Sequence, residues 1–212
     1  MVAIDQAALM RRSLAPALVA LLVSGCVHLP PLLRSRDALD PQEHARLGSS
    51  YEAQGQRAEA VAQYEAAVDL DPGFVDGWVA LGNVAFTDGQ LEKAEGYFRK
   101  AVAAGPHHAG ACNNLAMTIL ARGGDLKEAE SLATEALGQA GPLRPYILDT
   151  LANIQLKRSH YAEALEFVGQ AEAAAPEDAA LVRAQLKATR DSIMKAAKVR
   201  DHAPGQEPKK GP

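Results

Sequence analysis

Residues 75–106 read VDGWVALGNVAFTDGQLEKAEGYFRKAVAAGP, and the rest of the chain is understood by working outward from them. Trp78, Leu81, Val84 and Ala85 recur at helical spacing, so they share one face of a first helix. Gly89 ends that helix, because glycine tolerates the left-handed backbone of a helix terminus. Leu91, Ala94, Phe98, Ala101 and Val102 form the apolar stripe of a second helix, which Pro106 stops. The same order of residues returns along the chain. Leu47-Gly48, Leu81-Gly82, Leu115-Ala116 and Leu151-Ala152 are followed by Ala60, Ala94, Ala129 and Ala164, then by Tyr64, Phe98, Ala133 and Val168. Ala67, Ala101, Ala136 and Ala171 come next, and Pro72, Pro106, Pro142 and Pro176 close the series at intervals mostly of 34 or 35 residues. A fixed period of that length marks stacked helical hairpins rather than one closed core.

The set Trp78, Leu81-Gly82, Gly89, Ala94, Phe98, Ala101 and Pro106 resembles the tetratricopeptide repeat (TPR) motif, and Leu47, Gly48, Tyr51, Gly55, Ala60, Tyr64, Ala67 and Pro72 repeat the resemblance. The fold it implies is an all-α, right-handed TPR-like α-solenoid of about four helical hairpins plus a C-terminal capping helix. The units fall at 41–74, 75–108, 109–143 and 145–178, the capping helix at 179–200 and a disordered tail at 201–212. The third and fourth units depart from the motif, since Gly123-Gly124 carries an extra turn residue and Ala133 and Val168 replace the large rings.

Composition narrows the functions. Nearly half of the 212 residues are apolar but only 5% are aromatic, with alanine at the interior positions, which lets helices approach closely. The net charge is −4, with no basic stripe to neutralise a phosphate backbone, so nucleic acid is not an expected partner.

The start of the chain reads as an address. Arg11-Arg12, the apolar run from Leu14 to Val23, and the small residues Ser24-Gly25 before Cys26 have the order of a secretory signal covering residues 1–25, with Met10 a candidate true start. The apolar run is short for a membrane-spanning helix, which needs about 20 such residues. Val23-Ser24-Gly25-Cys26 resembles the lipobox of bacterial lipoproteins. That resemblance implies acylation of Cys26, a lipidated tether over 26–40, attachment to a lipid bilayer and, with Val27 after the cysteine, the periplasmic face of the outer membrane. An uncleaved apolar anchor is the alternative. Cys112 is then the one remaining thiol, expected as a small buried residue.

No phosphate loop, paired-histidine zinc helix or nucleophile elbow is present, and no enzyme, cofactor or metal is expected. His107-His108 reads as a solvated loop, and the glutamates near the starts of second helices read as favourable charge at helix N-termini. In the family resembled, first helices line a concave groove for protein or extended peptide partners. Carried onto this chain, that groove presents Asp76, Val79, Asn83, Phe86 and Thr87 from the second unit, Asn113, Met117 and Leu120 from the third, and Tyr146, Asp149, Asn153 and Leu156 from the fourth. Asparagine offers donor and acceptor together, which suits a peptide backbone, while Phe86, Met117 and Leu120 offer apolar pockets. Asn113, Met117 and Leu120 equally suit helix–helix contacts and the core. The resemblance implies a membrane-anchored, non-enzymatic scaffold assisting assembly of a pilus or secretion machine, with an adaptor or regulator of a periplasmic peptidase or murein hydrolase as the alternative. Self-association through the solenoid ends stays open.

Overall fold

The structure, a computed structural model, describes residues 39–201. The signal, Cys26, tether residues 26–38 and the tail from 202 lie outside them. Nine α-helices and one short 3-10 turn make up the described residues, with no strand. Four hairpins follow one another: α1 (Pro41–Ala53) with α2 (Arg57–Leu70), α3 (Val75–Thr87) with α4 (Leu91–Ala104), α5 (Ala109–Arg122) with α6 (Leu126–Gly138), and α7 (Arg144–Lys157) with α8 (Tyr161–Ala174). The terminal helix α9 (Ala180–Asp201) packs on both α8 and α7. The hairpin solenoid expected from the repeat is therefore the fold observed.

Local chemistry explains where the helices begin and turn. Asp40 opens α1 with a reciprocal cap: its Oδ1 accepts from the Glu43 N–H at 2.8 Å and its own N–H donates to Glu43 Oε2 at 2.9 Å. Pro41 occupies the first turn, where a missing N–H costs nothing. Three hairpins turn through a left-handed glycine, as at Gly89 with φ +72°. The fourth uses Ser159 at φ 63°, a conformation that side chains resist.

Within each hairpin the helices cross at one small residue. A Cβ placed on Gly82 would lie 2.4 Å from Phe98 Cε1, and one on Gly48 would lie 2.6 Å from Tyr64 Cε1. These glycines therefore make room for the rings. In the third and fourth hairpins the rings are gone, Ala133 and Val168 standing in their place, and the glycines have become Ala116 and Ala152, all fully buried. Loss of volume on one helix is matched by a gain on the other, which keeps the interior close-packed.

The first helices pack in succession, α1 on α3, α3 on α5, α5 on α7 and α7 on α9, and so form a continuous inner layer. Each second helix packs against its own first helix and against the next one. Ion pairs run along one helix and between successive hairpins. Arg99 reaches Glu95 at 2.8 Å and Glu128 at 2.6 Å, Arg122 holds Glu92 and Glu95, and Arg158 meets Glu130 at 2.6 Å. Burial alone would raise the Glu95 carboxyl, but hydrogen bonds from Arg122 and Arg99 outweigh it and hold the group below the ordinary carboxylate value. These glutamates, read in the sequence as solvated helix starts, are thus also cross-repeat contacts.

Candidate functional site

The inner layer is where side chains remain available. Between α3, α5, α7 and α9 lies an open cleft of about 420 Å³. Phe86 from α3, Met117, Leu120 and Ala121 from α5, and Tyr146 from α7 supply its apolar wall. Asp149, Thr150, Asn153 and Lys157 line it from α7, and Gln185 closes it from α9. The helical period brings these together: Tyr146, Asp149, Thr150, Asn153 and Lys157 are spaced three, one, three and four residues apart on one side of α7.

A smaller hollow of about 80 Å³ continues the cleft toward the N-terminal hairpins, sharing Phe86 and Met117 and adding Asn83, Asn114 and Phe98. There Asn114 Nδ2 donates to Asn83 Oδ1 at 2.9 Å, a bond across two inner helices. Of the groove residues expected from the sequence, Phe86, Met117, Leu120, Tyr146, Asp149 and Asn153 line the main cleft and Asn83 lines its extension, whereas Asp76, Val79, Thr87 and Leu156 line neither. Asn113 lines neither. It is buried, and its Nδ2 contacts Met117 Sδ at 3.4 Å, because a step of one residue turns a helical side chain through about 100°. Asn114 takes the inner-face position instead. Met117 and Tyr146 stay 36% and 43% exposed, so neither is committed to the core, whereas Leu120 and Phe86 are half-buried against it.

Gln185 was not foreseen as part of the groove. Its signal lay in the Leu186 and Ile193 stripe of α9, which seats the helix against the fourth hairpin and turns Gln185 toward α7. Its Nε2 donates to Asp149 Oδ2 at 2.7 Å. Asp149 is only 5% exposed, and its Oδ1 has no hydrogen-bond partner. Asn153, one turn on, donates to the Asp149 backbone carbonyl at 2.8 Å.

Elsewhere the polar groups have structural work. His108 accepts from the Ala111 N–H at 3.0 Å and caps α5, and exposed His107 meets Glu135 at 2.6 Å. Cys112 is buried with its Sγ donating to the Pro106 carbonyl at 3.2 Å, and burial, aided by the Glu135 charge, raises its thiol pKa and keeps it protonated. Among the described residues no group of three His, Cys, Asp or Glu is placed to hold a metal ion, and no helix is long and apolar enough to cross a membrane.

Hairpins stacked at this period, with an apolar cleft along their first helices, define a helical-repeat solenoid that resembles tetratricopeptide solenoids in fold. Residues 46–109 match the tetratricopeptide repeat family. A curated relative, tetratricopeptide repeat protein 14 of Mus musculus, is 34% identical over 85 residues, 40% of this chain. The chain spans 11% of that relative's length. Among solved structures, one described as a functional characterisation of Pseudomonas aeruginosa pilF is similar with a TM-score of 0.59 at 22% identity, over 79% of this chain and 78% of the other. PilW, described as a widely conserved type IV pilus biogenesis factor, is similar at 0.60 and 20% identity, over 77% and 78%. MamA follows at 0.56 and 16%, over 79% of this chain and 98% of its own. At these identities the likeness is one of fold.

Proposed function

We propose that this protein is a non-enzymatic scaffold, anchored in the bacterial envelope, that binds partner proteins along its inner cleft and assists assembly of a pilus or secretion machine. The observation that carries the reading is the cleft itself. Two exposed large apolar side chains, Met117 and Tyr146, stand beside one another with Phe86 in a concave wall that the rest of the fold does not fill. Such a wall suits an extended segment or a helix of another protein. Likeness of fold to a pilus biogenesis factor supports the choice of machine. The lipobox resemblance at Cys26 supports the anchor, which would confine the cleft to a membrane surface and raise its effective concentration for partners there.

Affinity capture of the tagged full-length protein from mild-detergent extracts, read by mass spectrometry beside a Met117→Ala/Tyr146→Ala variant, tests the binding role. Recovery of pilus or secretion subunits that the variant loses supports the scaffold, and recovery of a hydrolase alone removes the assembly role. The anchor is tested apart from this. Cys26→Ser is expected to leave an unprocessed precursor of full length, and identical processing and detergent partitioning of the two forms would remove the lipid anchor.

A further inference from the structure

We infer that the cleft selects a partner segment carrying a lysine or arginine side chain next to an apolar residue, with Asp149 as the counter-charge. This rests on the reading of the cleft as the binding surface and adds the chemistry of what it accepts.

The starting point is an imbalance in hydrogen bonding. Asp149 is nine-tenths buried in the cleft wall, and it has one donor, the neutral amide of Gln185, on Oδ2. Oδ1 has none. No cation of the described residues forms an ion pair with this carboxylate at the distances seen for Arg99, Arg122, Arg158 and Arg190. Buried carboxylates are normally paired or fully hydrogen-bonded; here Oδ1 is enclosed and unpaired, and Oδ2, under the exposed Gln185, is the oxygen left to take a charged donor.

Gln185 accounts for how a ligand reaches the carboxylate. It is an exposed side chain of α9 that reaches over to Asp149. An incoming ammonium or guanidinium brings a full opposite charge to the carboxylate, which the neutral Gln185 amide lacks, and so displaces that amide. The apolar half of the ligand then meets Met117, Tyr146 and Phe86. Lys157 stands eight residues along α7 from Asp149, about 12 Å by the helical rise, so it does not neutralise the acid and instead disfavours a cation at its own end. The cleft therefore orients its ligand as well as choosing it.

Panning a random dodecapeptide library against the full-length protein in mild detergent gives the test, followed by titration of acetylated, amidated versions of the selected peptides. Selected peptides are expected to pair a basic residue with Leu, Phe or Met, and their Lys→Gln forms should bind about tenfold more weakly. In Asp149→Asn that preference should shrink to about twofold or less, with the apolar residue still required. Gln185→Ala, read beside its own melting temperature because it strips buried Asp149 of its one donor, should strengthen the lysine peptides more than their glutamine forms, so the inference stands or falls even if Asp149→Asn unfolds. Equal binding of lysine and glutamine forms, enrichment of acidic residues, or a preference for a free N-terminal amine would overturn the basic-residue selectivity while keeping the cleft. Retention of no peptide at all would remove the cleft reading with it.

Discussion

Gly82→Ala tests the packing rule that spaces the helices of a hairpin. A Cβ there meets three ring carbons of Phe98, at 2.4, 2.6 and 2.8 Å, and that ring is 1% exposed and enclosed by core neighbours. Overpacking of this kind costs about 1–3 kcal/mol. Alanine recovers about 1 kcal/mol over glycine in a helix interior, so a net loss of up to about 2 kcal/mol is expected. In a Phe98→Val background the obstruction is gone, and the same substitution should instead stabilise by up to about 1 kcal/mol. That reproduces the fourth hairpin, where Ala152 stands with Val168. The cycle therefore predicts a coupling of about 2 kcal/mol and a change of sign. Urea unfolding of the four proteins measures it, with m-values compared because a solenoid unfolds through nearest-neighbour units. An effect equal in both backgrounds would refute the reasoning.

The remaining expectations are independent of one another. Ser159→Gly should raise stability by about 1 kcal/mol in urea unfolding, because it removes a left-handed side-chain residue from the fourth hairpin turn, the place Gly89 fills in the second. Glu95 is held below the ordinary carboxylate value of 4.5 by Arg122 and Arg99 against the effect of burial, and the Arg190 hydrogen bond does the same for Glu172. A carboxyl with a depressed folded-state pKa stabilises above its unfolded value, so this contribution is full above about pH 4.5 and is lost as pH falls below it. Melting temperatures of Glu95→Gln should consequently show a shallower acid limb than the parent between about pH 5 and pH 3.

The period that fixes the fold was open to reading because each hairpin repeats the same steric problem, and the positions of Leu81, Ala94 and Ala101 carry the same residue in all four hairpins. The inner wall was legible for the same reason: once first helices are placed, the residues one and two turns apart on their free side follow. Two features escaped. Asn113 and Asn114 are adjacent in sequence, and only the packing angle of α5 decides which faces the cleft, the answer being Asn114. Gln185 belongs to a helix outside the repeat, so no periodic argument reaches it. Its contact with Asp149 depends on how α9 seats against two helices at once.

The central claim is that partners dock on the inner face, and site-specific photocrosslinking in intact bacteria tests it most directly. A benzoylphenylalanine is placed at Met117 or Tyr146 in the cleft, and at exposed Glu166 on the outer helix α8 as the control. The account predicts a discrete adduct with a pilus or secretion subunit from both inner positions and none from position 166. Equal adducts from both faces, or adducts only from the outer one, would contradict it.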